Sequence, residues 1–306
     1  MAVVFYHGGT SWAEEGVMPD FSDNSNPIGP PEGLIYYVRE AVERGVYLRF
    51  PANLAEEVLR EYEGVEVTVF NGATEALLAA IAALKPRRIV IPWPNYADYV
   101  RVAQLLGVGY VLVEDPLQAA SGDLVVMSNP NNPLGRYVRR DEVLDLARRL
   151  KARGAALLVD ESFIDFTRGE SAAPDVPVVK SYGKLLAAPG LRVGAYLGDP
   201  PPGLKAPWRL NAIADYALYH LGASGIKRHR ERTLAYIAEE LPRVWQKVAK
   251  CASPLPTDVH FFVVKGREPK GVKVRPLWTH GLADAYRVSI KTPELNDVLI
   301  RAICSA

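Results

Sequence analysis

Five short runs, at residues 89–92, 110–113, 124–127, 156–159 and 193–197, are apolar at nearly every position rather than at every second one. A strand with one wet face alternates, so runs that do not alternate belong to a sheet covered on both faces. Segments with helical spacing lie between the runs. One, at 141–151, puts Val143, Leu144, Leu146, Ala147 and Leu150 on one stripe. Another, at 75–84, is almost wholly apolar and belongs inside. Helices alternating with covered strands indicate an α/β fold with a mainly parallel sheet.

The chain ends read differently. Residues 1–50 are rich in Gly, Pro, Asn and Asp, which suggests an extended arm with one short helix at 34–44. Pro200, Pro201, Pro202, Gly203 and Pro207 break the regular pattern. Beyond them come helical segments, including a long helix at 225–249 with Pro242 as its kink or end, and separated strands at 259–264 and 286–290. A closing helix starts at Thr292-Pro293-Glu294, with a cap residue, a Pro and an early acid. The expected organisation is a large α/β domain at 46–207 and a smaller α+β domain built from 208–306 and the arm 1–45.

With 36 basic and 35 acidic residues the net charge is +1, which argues against a nucleic-acid or polybasic membrane partner. No stretch approaches the ~18–20 apolar residues of a membrane span, and the start lacks a signal-peptide pattern, so a cytoplasmic protein is expected. Cys251 and Cys304 sit in no paired motif. They are too few for a zinc site, no metal is expected, and two reduced thiols are the favoured reading.

Five motifs follow predicted strands. Asn71-Gly72-Ala73-Thr74-Glu75 opens a helix, whose free amides and positive end suit an anion; the plainer account is a capped helix start. Pro92-Trp93-Pro94-Asn95-Tyr96 brings an aromatic ring to a strand end, for stacking or simple packing. Ser128-Asn129-Pro130-Asn131-Asn132-Pro133-Leu134-Gly135 is a rigid turn dense in side-chain amides. Asp160 ends a strand, where it could pair with a cation, cap a helix or hold a metal. Ser181-Tyr182-Gly183-Lys184 precedes Arg192, a residue able to grip phosphate bidentately; most such lysines are surface residues. Neither a dinucleotide fingerprint nor a P-loop is present, which counts against a nucleotide-binding protein.

Together and in this order, the motifs resemble the aspartate-aminotransferase-like (fold type I) enzymes that use pyridoxal 5′-phosphate (PLP), over nearly the whole chain. The resemblance implies that Lys184 carries the cofactor as a Schiff base. Lys180 is the nearby rival, but the eight-residue spacing to Arg192 fits Lys184. It further implies that Gly72, Ala73, Thr74, Ser181 and Arg192 hold the cofactor phosphate end and that Tyr96 stacks on the ring. Asn132 would bond the ring hydroxyl oxygen, and Asp160 would keep the ring nitrogen protonated.

The ends sharpen the resemblance. His7-Gly8-Gly9, Asp20-Phe21-Ser22, Asn24, Asn26-Pro27-Ile28-Gly29-Pro30-Pro31, Val274-Arg275, Gly281-Leu282 and the stretch 286–294 look like L-threonine-O-3-phosphate decarboxylases of cobalamin biosynthesis. So does Phe163, where transaminases of the superfamily commonly carry Tyr. This implies a homodimeric carboxy-lyase that turns L-threonine O-3-phosphate into (R)-1-amino-2-propanol O-phosphate. Arg287 would take the substrate carboxylate and Arg275 its phosphate. Asn132 would also touch substrate, and His7, Gly8, Gly9 and Asn26 would close over it. The alternative is an aminotransferase such as histidinol-phosphate aminotransferase, which shares most of the cofactor set. Three positions depart from the pattern: Thr10 stands where these decarboxylases usually continue with Asn, Phe50-Pro51 where relatives often have Tyr-Pro, and Gly183 where a hydroxyl residue often precedes the lysine.

Overall fold

A computed structural model of the chain describes residues 8–14 and 18–305. Its centre is a seven-stranded sheet of β1 (Val67–Asn71), β2 (Arg88–Pro92), β3 (Gly109–Val113), β4 (Asp123–Ser128), β5 (Ala156–Asp160), β6 (Val178–Ser181) and β7 (Val193–Leu197). The spatial order is β1-β7-β6-β5-β4-β2-β3. Strands β6, β5, β4, β2 and β3 are parallel, and β7 is antiparallel to both neighbours.

The lack of alternation has the expected cause. Val90, Val125 and Val159 enter one apolar cluster, while their neighbours Ile89, Leu124, Val126 and Leu158 enter another on the opposite face. Each fully buried side chain of this kind contributes about 1.5–3 kcal/mol. The covering helices are α1 (Leu34–Glu43), α2 (Leu54–Glu63), α3 (Ala73–Leu84), α4 (Asp98–Leu105), α5 (Arg140–Ala152), the single turn α6 (Tyr182–Leu185) and the long α7 (Ala212–Val248). On α3, Ala76, Leu77, Ala80 and Ile81 are buried against the sheet, while its other residues are partly wet.

A second sheet, ordered β10-β11-β9-β8, contains β8 (Ser253–Pro254), β9 (Phe261–Lys265), β10 (Arg275–Pro276) and β11 (Ala285–Ser289), all antiparallel. It packs with α8 (Pro293–Cys304) around a separate cluster that includes Phe21, Phe261, Val264, Val288 and Leu299. Residues of the N-terminal arm are sewn onto this sheet: Phe21 N donates to Lys273 O (2.8 Å), and Ser289 N donates to Phe21 O (2.9 Å). Among the described residues no helix is long and apolar enough to cross a membrane.

The helical segments expected after the proline-rich break are the two parts of α7, which meet at its one non-helical residue, Gly222 (φ 68°), where the missing Cβ makes the left-handed backbone accessible; the second part runs through Pro242 without ending there. One expectation is corrected. Cys251 and Cys304 are not two free thiols but a disulfide. They lie 53 residues apart in sequence, but the ends of α7 and α8 bring their Cα atoms to 5.3 Å, a spacing suited to the bond.

Candidate active site

Parallel strands all end at one edge of their sheet. Because β7 runs the other way, it begins at that edge, with Asn71 beside Val193 and Ser181 beside Gly194. The five motifs and Arg192 are therefore brought together by topology, where α/β folds bind ligands. A cavity of about 220 Å3 opens there. Ala73, Thr74, Tyr96 and Asn132 line it, as do Asp160, Ser181, Lys184 and Arg192. The small sheet adds Arg275 and Arg287, and the arm adds Gly8, Ser22, Asp23 and Asn24.

One wall is an anion cradle. The first amides of α3 have no partner within the helix and carry the positive end of its dipole. Gly72 precedes them with φ 96°. A Cβ on Gly72 would come within 2.4 Å of Arg192 Nη2, and one on Gly194 within 2.2 Å of Ala73 N. The guanidinium of Arg192 thus lies directly beside the helix start because two glycines leave room. The role of Gly194 as a spacer emerges only from the packing.

Asp160 is buried at the end of β5. Its Oδ2 accepts from Tyr99 Oη (3.0 Å), and its Oδ1 accepts from Ser162 N (3.0 Å) and Ser162 Oγ (2.5 Å). Burial pushes its pKa up, against the pull of these hydrogen bonds. Among the described residues, no Lys, Arg or His lies within ion-pair distance of it, so the site suits a cation brought by a ligand. Sequence reading passed over Tyr99 and Ser162. A serine two residues after a strand-end Asp is a recognisable turn signal, whereas Tyr99 requires the helix to be placed first. Tyr96 packs edge-on against Tyr99, with ring centroids 5.6 Å apart.

Lys184 projects from α6 into the cavity. Burial lowers its pKa; Asp23 opposes this and Arg287 adds to it. Lys180 has no place in this cavity. Its fully buried Nζ pairs with Glu63 Oε1 (2.8 Å) and Asp165 Oδ1 (3.0 Å). Gly183 is crowded by nothing: a Cβ there would meet Pro189 Cα at 3.4 Å and Ala188 O at 3.6 Å, both ordinary contacts. Gly183→Ser should therefore fold and raise stability by about 0.4–1 kcal/mol through a less flexible unfolded chain. Urea unfolding of the two proteins checks this, and a destabilised serine variant contradicts it.

Arg275 and Arg287 are register partners on β10 and β11, and both are buried. Arg287 Nη1 donates to Asn132 Oδ1 (2.5 Å) and Nη2 to Ser22 O (2.8 Å), and its guanidinium lies 5.2 Å from the Phe261 ring centroid. Burial, then the like charge of Arg275, pushes the Arg287 pKa down to about 9. An anion between two such cations relieves both effects. Asp23 is ion-paired with Lys291 (3.2 Å); although burial raises its pKa, Lys291 and the Ser25 amide hold it at about 2. His280 also lines the cavity, stacked on Trp93 (5.2 Å, 11°), whose Nε1 donates to His280 O (3.0 Å). Burial and the two arginines push the His280 imidazole down to about 3, so it is neutral. Nothing in the sequence singles out a lone His such as this one.

The remaining expected substrate contacts divide. Gly8 lines the cavity, where a Cβ would fall 2.2 Å from Ser22 O. Gly9 does not line it; its N donates to Ser22 Oγ (2.9 Å). Asn26 does not line it either, since its side chain turns toward Leu185 and α7. His7 lies outside the described residues. Phe163 does line the cavity. Phe50 is 73% exposed and stacks on Trp208 (4.2 Å).

Residues 39–218 match the aminotransferase class I and II family. A threonine-phosphate decarboxylase from Salmonella typhimurium is 29% identical, covering 94% of this chain and 92% of that protein. A histidinol-phosphate aminotransferase from Chlorobium luteolum is 28% identical, covering 82% of this chain and 78% of that protein. Among solved structures, the histidinol-phosphate aminotransferase from Sinorhizobium meliloti in complex with pyridoxal-5′-phosphate superposes with a TM-score of 0.77 at 18% identity. It covers 93% of this chain and 89% of that one.

Proposed function

The chain belongs to the aminotransferase class I and II family, and from that premise we propose that it is a PLP-dependent decarboxylase of L-threonine O-3-phosphate. PLP is the family's cofactor, and the residues fit it. The α3 cradle and Arg192 suit its phosphate, Asp160 suits a protonated ring nitrogen, and Lys184 makes no ion pair with a carboxylate among the described residues. When bound, PLP takes up the electron pair released as a bond at the substrate α-carbon breaks.

The protein's own groups do the rest. Tyr99 and Ser162 hold Asp160 in place for the ring nitrogen. Arg287 and Arg275 bind carboxylate and phosphate and so orient the substrate's α-carbon. Lys184, its pKa lowered by burial, is the group able to hand a proton to that carbon. His280, held by its stack on Trp93, presents a neutral ring to the cavity.

The observation that carries this reading is the buried pair Arg275 and Arg287, which the small sheet brings into the same cavity as Lys184 and Arg192. The arrangement offers seats for a cofactor phosphate, a substrate phosphate and a substrate carboxylate. The second reading, a histidinol-phosphate aminotransferase, draws on the relative from Chlorobium luteolum. The two are told apart by incubating the PLP-loaded protein with L-threonine O-3-phosphate. We expect CO2 release with no 2-oxo acid required. Conversion to pyridoxamine phosphate with oxo-acid turnover, and no CO2, would instead identify an aminotransferase.

The same reading gives a cytoplasmic homodimer serving cobalamin biosynthesis, with 46–207 as its large domain and 1–45 with 208–306 as its small one. The exposed apolar side chains of Tyr36, Leu48 and Phe50 suit a subunit contact.

A further inference from the structure

The helix that bears Lys184 is a single turn, which has little stability of its own. Beyond a local bond from Ala187 N to Lys184 O (3.2 Å), the carbonyls of Lys184 and Leu185 are bonded from elsewhere in the chain. Asn26 N donates to Lys184 O (3.0 Å), and Asn26 Nδ2 donates to Leu185 O (2.8 Å). Asn26 Nδ2 gives its other hydrogen to Thr233 Oγ1 (2.7 Å), which in turn donates to His229 O (2.8 Å). Asn26 Oδ1 accepts from Ile28 N (3.1 Å), so every polar atom of the side chain is engaged.

His229 Nε2 lies 3.1 Å from Leu185 O and 3.0 Å from Asn26 Nδ2. A carbonyl oxygen only accepts, so the tautomer that bonds Leu185 O is the one protonated at Nε2. Burial lowers the pKa of this imidazole, which keeps it neutral. The three residues are 5%, 3% and 0% exposed, and none lines the cavity. They are therefore not placed to touch substrate.

We propose that Asn26, His229 and Thr233 form a clamp on the peptide after Lys184, as positioning residues that set the direction in which the lysine enters the cavity. The inference rests on the PLP reading of the site. It ties the arm and α7 to the reacting amine. A residue noted from sequence as a substrate contact becomes a support for the lysine.

The test uses the full-length, PLP-loaded protein with Asn26→Ala, Thr233→Val and Thr233→Ser. The readouts are the pH midpoint of the visible absorption band and the separation of kcat from KM. Misplacing a reacting group by a fraction of an ångström to 1 Å can lower a rate by about 10- to 100-fold. Asn26→Ala is expected to lower kcat by that factor, with KM changed less than about threefold, and to move the midpoint by about 0.5 pH unit or more. Thr233→Val should move both in the same direction, and Thr233→Ser, which keeps the hydroxyl, should behave as wild type. A lower melting temperature with unchanged midpoint and kcat would mean the three residues only pack, and the clamp would be rejected. Should Asn26→Ala fail to fold, the valine and serine pair decides alone. A wild-type protein that develops no visible band with PLP overturns the cofactor reading itself, an outcome distinct from a coloured Asn26→Ala that matches wild type.

Discussion

Lys184→Ala is expected to remove the visible absorption of the PLP-loaded protein and to lower turnover by at least about 10³-fold, while the protein stays folded. The expectation of a retained fold is physical. Lys184 makes no ion pair among the described residues, and burial already disfavours its charge. Removing the amine therefore takes away a desolvated group and breaks no network. Lys180 cannot substitute, because Glu63 and Asp165 hold its Nζ away from the cavity. Borohydride reduction of the wild-type holoenzyme, followed by peptide mass analysis, should find the cofactor on the Lys184 peptide. A visible band that survives in Lys184→Ala, or a label on Lys180, would show that the site has been assigned to the wrong lysine.

Asp160→Asn should have the next largest effect, a loss of about 10²–10³-fold in kcat with the fold retained. Asparagine keeps the size of the side chain. Its oxygen can still accept from Ser162, and its amide can donate to the Tyr99 hydroxyl. What disappears is a buried negative charge that no basic side chain among the described residues neutralises. Without it, nothing in the cavity wall favours a protonated ring nitrogen. Steady-state kinetics beside circular dichroism separates the two effects. If kcat changes less than about tenfold, the charge of Asp160 is not the group that matters.

These two residues were legible in the sequence because each lies within a few positions of a strand end. A strand buried on both faces announces itself by unbroken apolar character, and the loop that follows it inherits a known place at the sheet edge. Gly72, Tyr96, Asn132, Asp160 and Lys184 are all of this kind. The helical segments that make up α7 were legible too, but the left-handed backbone of Gly222 that joins them shows only in the structure.

Other parts of the site depend on contacts between distant segments, for which linear spacing carries no signal. Arg275 and Arg287 are twelve residues apart in sequence, but only the pairing of β10 with β11 makes them neighbours. Trp93 meets His280, Cys251 meets Cys304, and Asn26 meets Thr233 by the same kind of long-range packing. The sequence by itself determined the covered sheet and the groups along its edge, because short-range hydrophobic pattern and turn chemistry control both. Tertiary structure alone decided which cations face Lys184 from the small sheet, and that Asn26 supports the lysine from behind. Those placements follow from contacts between segments far apart in the chain, which local pattern does not encode.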